Sequence, residues 1–467
     1  QPYILDPAEL GLTRILYSTS LMISVLFPLG LNALSMRYFP KFRNAENGHN
    51  GYFGLIMLMA CTGYLVVGAG VYLLKDAILA NYTNAPLFVE YFNLIFPLSL
   101  FIGLVSVINA YAFSLFKTSA PSFLHEIFSR GFLTVILSLY YLKHISYNTF
   151  VFLFVSCSGI QLLLLFSYII GTDKISFKIN WELLRSLNIR KMVNYLALIS
   201  VAGLASIALK NNIDTLLIGS FLDLNHVAVY TTAYIIGSII EVPSLALSKI
   251  ADPKITDALS NGNMKVVKDI YFKSTRLLTV LGGLLFLGVV CNVHSLLSLL
   301  PEKYQEGEAV VVIICASSFF NMATGMNNSM IFFTDKYALG SWMLIGLIVV
   351  SVALNILIIP IWGMEGAALV TGSCLFFSNI FKTAIIYTTY KLQPFGKYVW
   401  MILLLTAIVF AVNNLLLPAL DNKILDIAYR SFIITIIYSI GIYTLSIAPE
   451  MNEVIRKIFL RMKKGIR

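Results

Sequence analysis

The chain has 467 residues, of which 58% are hydrophobic and only 12% charged, and its mean hydropathy is +0.83. Soluble domains carry about 25% charged residues, so an ordinary globular protein is excluded and an all-α polytopic membrane protein is predicted. The formal charge of +10 calls for no nucleic-acid partner, because basic loops lying on anionic lipid at a cytoplasmic surface account for it.

From the N-terminus, "QPYILDPAELGLTR" lacks the basic region and apolar core of a signal peptide. Thirteen apolar stretches follow, near 13–36, 53–74, 91–115, 121–142, 149–171, 191–220, 227–249, 274–299, 309–333, 338–361, 366–389, 398–418 and 427–448. Each has about the 20 residues that a bilayer-spanning helix needs. Of the 33 Lys and Arg residues, 26 fall in one alternating set of loops, in which Lys117, Arg130, Lys254, Lys382 and the C-terminal cluster are counted. The other set holds only Arg14, Lys75, Lys143, Lys210, Lys303, Lys423 and Arg430. Basic loops face the cytoplasm, so the C-terminus is expected inside. With an odd number of spans Gln1 is then outside, and a fourteenth span is expected to precede it in the intact protein.

The charges and amides inside these spans are the candidate functional groups, since an ionisable residue at a helix centre costs about 2.5–3.5 kcal/mol to insert. In "APSFLHEIFSRGFL", Glu126 and Arg130 stand four apart, which fits either a buried brace or a guanidinium held ready for phosphate. In "NWELLRSLNIRKMVNY", Asn180 caps an amphipathic segment predicted to lie on the inner membrane surface. In "GLASIALKNNIDTLLIGSF", Lys210 and Asp214 again have helical i,i+4 spacing. They read as an interfacial ion pair or as the wall of a polar cavity.

In "IIGSIIEVPSLAL", Glu241 has no charged partner on its own helix and precedes Pro243. A lone carboxylate beside a Pro hinge is a candidate for binding H⁺ or Na⁺, or a carboxyl kept neutral by a nearby hydroxyl. In "SSFFNMATGMNNSMIFF", Asn321, Thr324 and Asn328 form a polar stripe at helical spacing, suited to helix–helix hydrogen bonding or to a ligand. The five cysteines fall inside apolar spans and the five histidines show no ligand spacing, so no metal or cofactor is expected.

A weak repeat relates "AELGLTRILYSTSLMISVLFPLGLNALSMRYFPKF" to "NHVAVYTTAYIIGSIIEVPSLALSKIADPKI". Tyr17, Pro28 and Pro40 of the first match Tyr234, Pro243 and Pro253 of the second. Internal repeats of this kind recur in transporters.

The first of these passages, "NNIDTLLIGSFLDLNHVAVYTTAYIIGSIIEVPSLALSKIADPKIT" and "LNILIIPIWGMEGAALVTG" together resemble the polysaccharide flippases of the O-antigen (Wzx) type. These share a superfamily with the MATE drug antiporters and the lipid II flippase. The likeness runs over nearly the whole chain through loose motifs. It implies two pseudo-symmetric lobes around a central cavity: 1–171 and 191–390, with an interfacial linker at 172–190, two further helices within 391–448 and a basic cytoplasmic tail at 449–467. It also implies a function, the transfer of an undecaprenyl-pyrophosphate-linked oligosaccharide across the bacterial inner membrane by alternating access. Arg37, Arg130 and Lys210, with Asn321 and Asn328, would then serve the cargo, and Glu241, Asp214 and Glu126 would serve a coupling ion. A MATE-like exporter of organic cations and a membrane enzyme of polysaccharide assembly are the alternatives. The outer loops are short and show no nucleophile–base constellation, and no phosphate-cradling Gly loop is present, so a non-enzyme that does not itself use ATP is expected.

Overall fold

Over most of the described residues of the predicted spans the backbone is helical, and no strand occurs among the described residues. The structure is a computed structural model. It describes the chain apart from residues 29, 30, 45, 187–202, 206, 333, 335 and 446–467, and apart from the side chains of 32–34, 36, 37, 185, 186, 211, 260 and 337. Ten helices among the described residues are long and apolar enough to cross a membrane. One of them, Ala338–Tyr390, holds two of the expected spans. The chain is an all-helical polytopic membrane protein. Large apolar side chains such as Leu65, Val66 and Leu73 are turned outward, as a surface solvated by lipid requires.

Two compact units divide the chain. The first comprises Gln1–Ala228 with Leu344–Pro360, and the second Val229–Met343 with Ile361–Arg467.

The first unit begins with α1 (Pro7–Leu26) and α2 (Leu31–Phe42). These were expected as one span, but the helix stops beside Pro28, which has no N–H to continue the ladder. After α3 (Tyr52–Leu73), α4 (Ile95–Ser114) packs on α1 and α2. The segment at Leu124–Phe128 is a single wide π turn, in which the Ser129 N–H reaches back five residues to the Leu124 carbonyl. It leads into α5 (Ser129–Tyr141), and α6 (Tyr147–Thr172) packs against both α4 and α5. A second π turn, Ala208–Asn212, precedes α7 (Ile213–Phe221). Gly11 of α1 approaches so closely that a Cβ there would lie 1.9 Å from the Leu224 carbonyl oxygen. The linker forms a short helix at Trp181–Ser186, with Asn180 Oδ1 accepting from the Leu183 N–H at 3.0 Å. Residues 187–190 of the expected linker, and the tail 449–467, lie outside the described residues.

Between α2 and α3 four successive residues, Gly48 to Gly51, take left-handed φ values of 52° to 73°. For His49 and Asn50 this backbone is strained. The turn is pinned from outside: His49 Nε2 meets Asp173 at 3.3 Å, Tyr111 donates to the same carboxylate at 3.0 Å, and Gly51 abuts Lys178.

In the second unit, α8 (Leu224–Ser238), which starts at the end of the first, gives way to a tight turn at Ile239–Glu241. There follow α9 (Val242–Ser260), α10 (Met264–Val290) and α11 (Glu308–Ala323), and then α12 (Asn327–Phe332). The helix–break–helix pattern of α1–α2 recurs in α8–α9, with Pro40 and Pro253 inside the second helix of each pair. The Pro-marked repeat in the sequence therefore has a structural counterpart. A long helical run, α13 (Tyr337–Tyr390), is broken at Gly363 (φ 57°, ψ −143°). Finally α14 (Lys397–Leu416) and α15 (Lys423–Thr444) pack on α10 around Leu287, Ile402, Val409 and Tyr438. The glycines Gly283 and Gly441 let these helices approach closely.

Candidate functional site

Four elements of the first unit, α1, α4, α6 and the π turn with the α5 that follows it, enclose a cavity of about 570 Å³. α4 contributes Ile102, Val105, Ser106, Asn109 and Phe113, and α6 contributes Phe154, Cys157, Ser158 and Gln161. His125, Ser129, Arg130 and Leu133 complete the far wall, with Tyr17 and Leu21 from α1. Among the described lining residues Arg130 is the one permanently charged group, and no carboxylate lines the space. Ser129 donates to Gln161 Oε1 at 3.1 Å, which ties α5 to α6 at the polar side of the cavity. Asn109 Oδ1 is buried without a hydrogen-bond partner.

Arg130 makes the predicted ion pair with Glu126, Nη2 to Oε2 at 2.8 Å. The guanidinium is 79% exposed and the carboxylate 56%, so the pair is an open one and not a buried brace. The expected partnership of Lys210 with Asp214 does not form. The π turn adds a residue between them, so four-residue spacing no longer brings the two onto one face. Lys210 is exposed, while Asp214 is 1% exposed and accepts from Asn355 Nδ2 at 3.0 Å. Arg37 sits on α2, but its side chain lies outside the described residues.

A polar network in the second unit corrects two further expectations. Glu241 is not alone: Asn321 Nδ2 donates to it at 3.1 Å, and its charge acts on the ammonium of Lys382. Lys382, counted with the cytoplasmic loops above, is buried on α13, 7% exposed. These partners come from other helices, which spacing along one helix cannot show. The stripe Asn321–Thr324–Asn328 is broken as well, because α11 ends at Ala323, capped by Thr324, and Gly325 turns left-handed (φ 70°). The register shifts by one residue, so Asn328 faces outward and Asn327 inward. Asn327 accepts from Tyr271 and donates to Thr383, while Thr324 donates to Asn379. Lys382, Asn379, Asn355 and Gln161 were missed in the sequence. The signal available for Lys382 and Asn379 was that both fall inside a drawn span.

No family model matches the chain, and no curated protein matches it. Among solved structures, the lipid II flippase MurJ in an inward closed conformation superposes with a TM-score of 0.70 at 14% identity, covering 94% of this chain and 96% of that one. The fold is that of MurJ and the MATE transporters. An inward-facing multidrug resistance MATE transporter of the MOP superfamily gives a TM-score of 0.60 at 14% identity, over 82% of this chain and 91% of that one. A Vibrio cholerae MATE transporter in a bent form gives 0.54 at 14% identity, over 83% and 95%.

Proposed function

We propose that the chain is a flippase that carries an undecaprenyl-pyrophosphate-linked oligosaccharide from the inner to the outer leaflet of the bacterial cytoplasmic membrane. The observation that carries this reading is the cavity of the first unit, where, among the described lining residues, a guanidinium is the charged group and none is a carboxylate. Arg suits phosphate because its planar fork donates two parallel hydrogen bonds. The Glu126 partner is exposed and held by a single short contact, so an arriving pyrophosphate can displace it at little expense. Lys210, exposed on its π turn, and Arg37 are further cations for the same cargo, and Asn321 is a polar contact in the other unit. Asn328, which faces outward, has lost the motive for that role. The likeness to a lipid II flippase over 94% of the chain supports movement of a lipid-linked cargo by alternation between inward- and outward-open states.

Coupling to H⁺ or Na⁺ falls most naturally to Glu241, whose carboxylate accepts from the Asn321 amide and acts electrostatically on the buried Lys382. Asp214, sealed against Asn355, and Glu126, paired with Arg130, are weaker candidates for it.

The decisive experiment reconstitutes the full chain in vesicles with undecaprenyl-pyrophosphate oligosaccharide bearing a fluorophore on its sugar, and follows quenching by an impermeant reductant. Protein-dependent loss of the protected fluorescence is expected. A MATE-like exporter of organic cations is the second reading, favoured by the TM-scores of 0.60 and 0.54. Vesicles that expel ethidium while leaving the glycolipid in place would establish that reading instead.

A further inference from the structure

The cavity of the first unit is polar at one end and apolar at the other, and the polarity has a direction. Along α4 the apolar Ile102 and Val105 come before Asn109. Along α6 Phe154 comes before Gln161, and along α5, which runs the opposite way, Ser129 and Arg130 come before Leu133. Thus Asn109, Arg130 and Gln161 gather towards the connection at 115–118, and Val105, Leu133 and Phe154 towards the connection at 142–146. At 1.5 Å rise per residue the two ends are separated by roughly 6–10 Å. Phe113 and Tyr17 are exceptions, one at each end. The charge asymmetry of the loops places 115–118, with Lys117, on the cytoplasmic side.

We infer that this cavity holds one phosphate-bearing polyprenyl lipid in the orientation of the cytoplasmic leaflet. Its phosphate lies among Arg130, Gln161 and Asn109, and its first isoprene units lie along Val105, Leu133 and Phe154. The inference rests on the flippase reading and adds a loading site within one unit, where the lipid chain is gripped as well as the head group. Two observations point to a ligand. Gln161 is 7% exposed, and its amide nitrogen makes no hydrogen bond with the described residues, although its oxygen is engaged by Ser129. A buried donor facing a cavity is left wanting an acceptor, and a phosphate oxygen supplies one. The opposite end is mostly hydrocarbon, with Tyr17 and Ser106 as its polar side chains, so burying a sugar there would leave most of its hydroxyls unpaired, whereas hydrocarbon belongs there. The occupant is therefore an anionic amphiphile with its head towards the cytoplasm.

The test uses the full chain in nanodiscs, with binding read by native mass spectrometry for three probes: undecaprenyl pyrophosphate, phosphatidylglycerol and inorganic pyrophosphate. Undecaprenyl pyrophosphate is expected to bind best and inorganic pyrophosphate not at all. Leu133→Trp, which fills the apolar end, and Gln161→Leu, which removes the donor, should each weaken it roughly tenfold or more. Gln161→Leu keeps the side-chain volume and guards against misfolding of the bulkier variant, and unchanged melting temperatures confirm both folds. Wild-type affinity in both variants overturns the site. Equal retention of phosphatidylglycerol overturns the assignment to the cargo and leaves an ordinary membrane-lipid site. If the wild type flips the labelled oligosaccharide and both variants flip it equally fast, the loading site fails and the flippase reading stands. If the wild type binds undecaprenyl pyrophosphate, both variants lose it, and no flipping occurs, the site stands and the flippase reading fails.

Discussion

Arg130 shows that a charge within a span need not be a buried structural brace. Its ion pair with Glu126 is open, and exposed pairs are worth about 0.2–1 kcal/mol. Arg130→Ala should therefore change the melting temperature in detergent hardly at all, yet abolish glycan export in cells that retain the protein in their membranes. Normal export by this variant would remove the cation from the mechanism. Glu241 and Lys382 behave differently, because Lys382 is buried and a buried charge stripped of its counter-charge is destabilising. Glu241→Gln should destabilise the protein, and adding Lys382→Met should restore much of the loss. A coupling energy of about 1–3 kcal/mol is expected from the thermal double-mutant cycle; additive effects would show that the two charges do not act on each other. The sequence displayed Arg130, Lys210, Asp214 and Glu241 as anomalies in apolar runs. It could not display their partners. Asp214 meets Asn355 across 141 residues and Glu241 meets Asn321 across 80, and long-range pairs leave no mark on local spacing.

Helix breaks were legible where a residue forbids helix and illegible where geometry alone does. Pro28 and Pro243 mark the interruptions that end α1 and open α9, and Gly363 marks the fold in α13. The π turns at Leu124–Phe128 and Ala208–Asn212 carry no such residue. For that reason the Lys210–Asp214 pair was expected and does not form. The Gly325 turn likewise moved the inward amide from Asn328 to Asn327. Backbone conformations like that of Gly363 are almost closed to residues with a Cβ. Gly363→Ala should cost about 1–3 kcal/mol, seen as a lower melting temperature and less protein in the membrane. Gly346→Ala, with nothing within 4 Å of the added Cβ, should be neutral or slightly stabilising. Equal melting temperatures for the two variants would mean that the break at Gly363 is not strained.

For the molecule as a whole, composition sufficed for the class, and the loose motifs pointed to a fold that MurJ and the MATE transporters display. Which cargo the fold serves was not legible, because cargo is set by side chains converging from several helices. Orientation can be tested directly. In a background with the native cysteines replaced by serine, Lys143→Cys should react with an impermeant maleimide added to intact cells, and Asn261→Cys only after the membrane is opened. Labelling in the reverse order would invert the topology and, with it, the leaflet assigned to the lipid in the cavity. The left-handed turn at Gly48–Gly51 bears on how such a molecule moves. Because His49 is fastened to Asp173 and Gly51 rests on Lys178, the elbow between α2 and α3 and the strap leaving α6 travel as one piece. A tilt of α3 is thus handed directly to the strap and on to the Asn180-capped helix, with no slack loop in between to absorb it.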